Sequence, residues 1–244
     1  MAPSMKHTHL KMGRAKVHLD ALYEMVEGFI KSKPYHVLAE DHVEAGEHIV
    51  TFTIDDPGFD AALIAGDFIC CLRSALDYLA WQLATLTTSS PSRDVCFPIC
   101  AKDSLETQLK ITRQTFGIPD QAVLTIKSLQ PYVYGEKYEL SHLWRISKLW
   151  NIVKHRHVGM HSTVADFAFP KDLPAPKTEV RDDCGIMRFP ITAKPDMNLY
   201  PGPEIDIFFG DEGEGIITFI DDLADAYQFV GTEVLPQFEK FFPK

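Results

Sequence analysis

The order of apolar and polar positions divides the chain into helical stretches, a hairpin and a β-rich tail. Over residues 14–33, Val17, Leu22, Met25, Val26, Phe29 and Ile30 recur at helical spacing, and Lys33-Pro34 closes the segment. Residues 35–54 read as a hairpin, with Glu44-Ala45-Gly46-Glu47 as the turn and a β-branched run from His48 to Ile54. Asp55-Asp56-Pro57-Gly58 breaks that run and opens a long helix over 59–87, followed by a Ser/Pro loop at 87–92. Shorter helices are predicted at 103–115 and 119–129, the second closed by Gln130-Pro131-Tyr132, and a second long helix at 137–158. Short β-rich segments at 160–169, 185–192, 204–209 and 215–220 alternate with Pro/Gly loops, and a last helix covers 222–241. The expected fold is α+β, one domain over 1–244. Its core is two long packed helices with additional helices and the hairpin (14–160), joined by a small antiparallel β-sheet from 160–220 and the terminal helix.

Stepping around the first long helix at 100° per residue gives an apolar face of Phe68, Ile69, Leu72, Ala75, Leu76, Leu79 and Leu83. The other half carries Asp67, Arg73, Ser74, Asp77, Tyr78 and Gln82 with Cys70, Cys71 and Trp81. Arg73 and Asp77 are i,i+4 partners. That half is poor in Lys and Glu, which dominate wet helix faces, so it is expected to be half-buried. In the second long helix, Leu140, Leu143, Trp144, Ile146, Trp150 and Val153 set an apolar arc, and Ser147, Asn151 and Lys154 form a stripe inside it. A buried ammonium group without a partner costs several kcal/mol, so Lys154 is expected to meet an acid, Asp77 or Asp67, or a polar cavity. Arg145, Lys148, His155 and Arg156 lie mostly to one side of that helix.

Composition adds limits. The chain has 244 residues, 45% hydrophobic and 24% charged, which excludes extensive disorder and fibrous repeats. Its net charge is −10, and the eleven acids between Pro195 and Glu239, with no Lys or Arg among them, account for the imbalance. An acidic balance argues against a broad nucleic-acid surface and leaves room for a small basic pocket. The acid-rich C-terminal stretch could dock on the basic side of the second long helix, in the same chain or in a homodimer partner. Five cysteines without framework spacing suit free thiols in a reducing, cytoplasmic compartment. No apolar run is long enough to span a membrane.

The run Gly66-Asp67 through Leu72-Arg73-Ser74-Ala75-Leu76-Asp77-Tyr78, with Phe97-Pro98-Ile99, Leu129-Gln130-Pro131-Tyr132 and Leu149-Trp150-Asn151-Ile152-Val153-Lys154-His155-Arg156, resembles a widespread, largely uncharacterised bacterial family. That family has an "LRSALDH" helix and an "N-x-x-D-K-H-R" helix, and the similarity covers about residues 58–160. Its R-x4-H element is similar to the signature of HEPN-type helical ribonucleases. The resemblance implies action on RNA or a nucleotide-like phosphate ligand, with a metal-independent ribonuclease as the catalytic form. His155, Arg73 and Tyr78 would be catalytic, and Asp77, Asn151, Lys154 and Arg156 would bind substrate. The chain departs from the pattern at two positions: Tyr78 stands where the family has His, and Val153 where it has Asp. A phenol, with an ordinary pKa of about 10, is a poor general base at neutral pH. Either His155 takes that role or the nuclease chemistry is absent.

Two readings from other classes stand beside this one. One is a non-catalytic binding or interaction module, in which the polar seam only sets helix register. The other is an enzyme acting on a small aromatic substrate, with Tyr78, Trp81, Trp144 and Trp150 walling the pocket. No cofactor motif is present, and the Gly-rich stretch 210–215 is acidic and suits a turn better than a phosphate cradle. His155, His157 and His161 cluster in sequence, but Gly159 interrupts them and no H-E-x-x-H occurs. Cys96-x3-Cys100 has half a zinc site's spacing and no second pair follows.

Overall fold

The computed structural model describes residues 3–55, 59–155, 158–164, 175–181, 184–193, 203–209, 216–218 and 220–243. Two helices of equal length lie side by side at its centre, α1 (Lys6–Lys31) and α2 (Phe59–Ala84). They run in opposite directions: Ser4 N–H, just before α1, donates to Gln82 Oε1 near the end of α2 at 3.0 Å. On α1, Thr8, Met12, Ala15, Leu19 and Leu22 form the buried stripe. The helix therefore starts well before residue 14, because Thr8 and Met12 bury one side of a segment that is otherwise mostly polar. All seven residues of the predicted apolar face of α2 are fully buried.

The hairpin forms as expected from β1 (Tyr35–His42) and β2 (Glu47–Ile54), and Gly46 turns it with φ at +67°. The later strands do not form one sheet of their own. β5 (Cys184–Pro190) pairs with the free edge of β2, and β4 (Lys177–Arg181), which the sequence pattern did not show, pairs with β5. Val50, Phe52, Met187 and Phe189 bury one face of this β1-β2-β5-β4 sheet. β3 (Val158–Val164), β6 (Pro203–Phe209) and β7 (Ile216–Thr218) make a second antiparallel sheet. An unpaired strand edge needs partners for its backbone N–H and C=O groups, and periodicity cannot say which later strand provides them.

Between α2 and β3 in sequence come α3 (Leu105–Gln114), capped by Ser104 accepting from Thr107 N–H, and α4 (Asp120–Ser128). A kinked run of 3-10 turns, Pro131–Leu140, follows. Its break falls at Gly135, φ +61° and ψ −128°, so the next helix, α5 (His142–His155), is shorter than the predicted 137–158. The terminal helix is also divided, into α6 (Ile220–Phe229), a wide turn at Val230–Val234 and α7 (Pro236–Glu239). Pro236 has no N–H to give, and a Pro ring clashes with the carbonyl four residues back. The turn before it opens so that Leu235 N–H reaches back to Val230 O at 3.0 Å. Leu223, Ala226, Val230, Val234 and Phe238 then join α1, α2 and α5 in the main core.

Two acids in the first turn of α6 fasten it to its neighbours. Arg145 Nη1 on α5 donates to Asp222 Oδ1 at 2.6 Å, and Tyr23 Oη on α1 donates to Asp221 Oδ1 at 2.8 Å. Of the acidic C-terminal segment, Asp222 thus meets the basic side of α5 within the chain, at a helix N-terminus that favours negative charge. Burial first, then the hydrogen bond and charge of Asp221, push the Tyr23 phenol up to about 12 from its ordinary 10.0. As pH rises the unfolded chain gives up this proton before the folded one does. The stabilisation is complete below the ordinary value and is lost between about 10 and about 12. Over that range the wild-type Tm is expected to fall more steeply than that of Tyr23→Phe, and parallel slopes would exclude the contact as a contributor.

Candidate functional site

The polar half of α2 does two different things along its length. In the middle it grips a loop. Arg73 Nη2 donates to Asp77 Oδ1 and to the Phe97 carbonyl, both at 2.8 Å, and Phe97 N–H donates to the same Asp77 oxygen at 3.0 Å. One i,i+4 pair therefore satisfies both backbone groups of Phe97, whose ring is buried edge-on to Phe238 with centroids 6.3 Å apart. Arg73 is only 7% exposed, and its buried Nε has no hydrogen-bond partner among the described residues. Burial pushes the Asp77 carboxyl above the usual carboxylate range, against the Arg73 charge and the Phe97 N–H, which hold it down.

A second clamp, missed in the sequence, finishes the same loop. Gln130 is fully buried; its Nε2 donates to Pro98 O at 2.8 Å and Ile126 O at 3.1 Å, and its Oε1 accepts from Cys100 N–H at 3.0 Å. Tyr132 N–H reaches Cys100 O at 3.3 Å. The Leu-Gln-Pro-Tyr and Phe-Pro-Ile motifs thus meet, and the task they share is satisfying buried backbone. A Gln directly before a Pro was the only sequence signal, and it reads equally well as a helix stop.

Toward α5 the polar half meets Trp150. Arg73 Cζ lies 5.4 Å and Lys154 Nζ 4.2 Å from that indole's centroid, within cation–π range. The expected acid partner of Lys154 is not found: among the described residues it pairs with no carboxylate, and its side chain is exposed. The stripe expected inside the buried arc is largely on the outside, with Asn151 and Lys154 exposed and Ser147 half-buried. Leu143, Ile146, Leu149 and Ile152 are the buried positions of α5, while Trp144, Trp150 and Val153 are half-buried and Leu140 is exposed before the helix begins. Val153 faces Gly66, where a methyl group would touch Val153 Cγ1 at 3.5 Å.

Toward α1 the surface changes again. Tyr78 and Trp81 are 40% and 37% exposed. Lys11 Nζ lies 5.9 Å from the Tyr78 ring centroid, and the His7 ring is 6.1 Å from it at 60°. His7, Leu10, Lys11, Arg14 and Tyr78 line a recess of about 390 Å³. Cys70 lies between the two flanks, within the field of both Lys11 and Lys154. Burial first, then Asp67 and Cys71, raise its thiol pKa against those lysines, so it stays a neutral thiol and a poor nucleophile. All five cysteines are unpaired.

Of the predicted site residues, then, Arg73 and Asp77 join in the loop clamp and Tyr78 looks toward α1. Asn151, Lys154 and His155 occupy the exposed side and end of α5. Arg156 and His157 fall outside the described residues, as do the His161 side chain and the stretch 210–215. Three of the four rings proposed as one aromatic wall have different neighbours: Trp144 packs edge-on to Tyr138 at 5.9 Å, Trp150 meets the two cations, and Tyr78 meets Lys11 and His7. Among the described residues no three His, Cys, Asp or Glu side chains gather as metal ligands, and no helix is long and apolar enough to cross a membrane. Compared with known proteins, the chain matches no family model, no curated protein and no solved structure.

Proposed function

We propose that the chain is a HEPN-like helical protein that binds RNA or a nucleotide-like phosphate ligand on the face where α2 is flanked by α1 and α5. The observation that carries this reading is the pairing of cations with aromatic rings on that face: Lys154 with Trp150, and Lys11 with Tyr78. On a chain of net charge −10, such groups give a local anion site with π-surfaces for bases beside it. Fluorescence anisotropy with a short labelled RNA at low salt tests it. Saturable binding is expected, weakened about tenfold in Lys154→Glu and falling with added salt. Absence of binding to both RNA and nucleotides would remove the proposal.

Metal-independent cleavage is a second reading, favoured by one placement: His155, an exposed imidazole, follows Lys154 directly at the end of α5. Arg73, already held by Asp77 and the Phe97 carbonyl, is not free to stabilise a phosphorane, so that charge would come from Lys154. Cleavage of RNA in the presence of a chelator, abolished by His155→Ala in a protein of unchanged Tm, is the result this reading expects. Binding without cleavage leaves the non-catalytic module.

A further inference from the structure

The recess between α1 and α2 has features that the loop clamp and the Trp150 cluster lack. It is a shallow recess, open to solvent, with a volume of about 390 Å³, in the range of small-ligand sites. Its wall offers one aromatic ring, Tyr78, which is 40% exposed, and the side chains of Lys11, Arg14 and His7. Among the described residues neither Lys11 nor Arg14 pairs with a carboxylate, whereas Lys16 is tied to Asp20. Leu10, 60% exposed, adds an apolar edge. A flat ring would gain by stacking on Tyr78, and a phosphate by meeting Lys11 and Arg14.

We infer that this recess is a binding site for a nucleoside monophosphate unit, with the base against Tyr78 and the phosphate on Lys11 and Arg14. The unit is either the free nucleotide or the 5′-phosphorylated end of a single strand. The inference rests on the proposed function and narrows it, since apart from Tyr78 none of these residues belongs to the α2–α5 face read from the sequence. The site is anchored to the body of the protein, because Met12 and Ala15, on the same turns of α1 as Lys11 and Arg14, are buried against the core.

Isothermal titration of the full chain with AMP, with inorganic phosphate, and with a short RNA bearing either a 5′-phosphate or a 5′-hydroxyl tests the assignment. AMP is expected to bind more tightly than inorganic phosphate, and Lys11→Ala with Arg14→Ala to weaken it at least tenfold. Tyr78→Leu should weaken AMP while leaving inorganic phosphate nearly unchanged. If the double variant fails to fold, Arg14→Gln alone, at an exposed position, carries the same test. A preference for the 5′-phosphorylated RNA identifies the strand end as the ligand, and AMP binding without any RNA binding identifies the free nucleotide. Equal affinity for AMP and inorganic phosphate, or AMP binding indifferent to Lys11 and Arg14, overturns the inference. RNA binding that depends on Lys154, with no response to AMP or to the 5′ group, overturns it and leaves the proposed function standing. No binding of any of these probes overturns both.

Discussion

Replacing Arg73 with leucine is expected to lower the unfolding free energy by about 3 kcal/mol, measured by urea denaturation. The guanidinium, almost wholly removed from solvent, donates to Asp77 and to the Phe97 carbonyl, and the leucine does neither. What remains is a half-buried carboxylate with only the Phe97 N–H, and a main-chain carbonyl with no donor. Removing Asp77 as well does not repair the loss, because both backbone groups of Phe97 then lack partners. The double variant Arg73→Leu with Asp77→Leu should therefore be no more stable than Arg73→Leu. Full recovery in the double variant would mean that the pair contributes only its own Coulomb attraction and that the loop does not depend on it. Arg73→Lys should fall between, since the lysine keeps the charge but loses the planar guanidinium that places Nη2 on both acceptors and Cζ against Trp150. The same result bears on function: loss of activity in an Arg73 variant is evidence about chemistry only when its stability has been measured alongside.

Phe238→Ala is expected to cost about 4 kcal/mol, in the range found when a fully buried aromatic ring is removed from a core that cannot collapse around the gap. Phe238 is on α7, the last short turn of helix, yet it is completely buried, meets Phe97 edge-on and touches the Phe241 ring at 6.2 Å. The loop gripped by Arg73 and the C-terminal turn are thus two sides of one contact. A midpoint shift without change in the denaturant slope is the expected signature. A cost below about 1 kcal/mol would show that the C-terminal turn is a loose appendage, as a four-residue helix would ordinarily be.

The legible parts of the sequence were those where a single helix carries its own answer. Seven residues of α2 repeat on one face, and that face is buried without exception. The hairpin was readable because a glycine turn separates two β-prone runs of equal length. The start of α1 was not readable, since a His- and Lys-rich segment gives little apolar signal until a neighbouring helix supplies something for Thr8 and Met12 to bury against. The polar stripe on α5 was assigned to the wrong side for a related reason. With the helix beginning only at His142, Leu140 no longer helps define its arc, and the packing of α2 and α6 selects Leu143, Ile146, Leu149 and Ile152 instead. The candidate site was legible as a set of residue types on α2 and α5. The contribution of α1 was not, because nothing local relates Lys11 or His7 to Tyr78.

By itself the sequence determined an α+β chain whose elements lie close to where periodicity, turn residues and prolines put them, since those signals act within a few residues. The sequence also named the local Arg73–Asp77 pair; only the tertiary structure decided the long-range partners of the polar groups. Arg73 and Asp77 hold a distant backbone loop, Lys154 rests on Trp150, and Lys11 crosses to Tyr78, because buried hydrogen bonds and cation–π contacts are formed between neighbours in space that the linear order does not name.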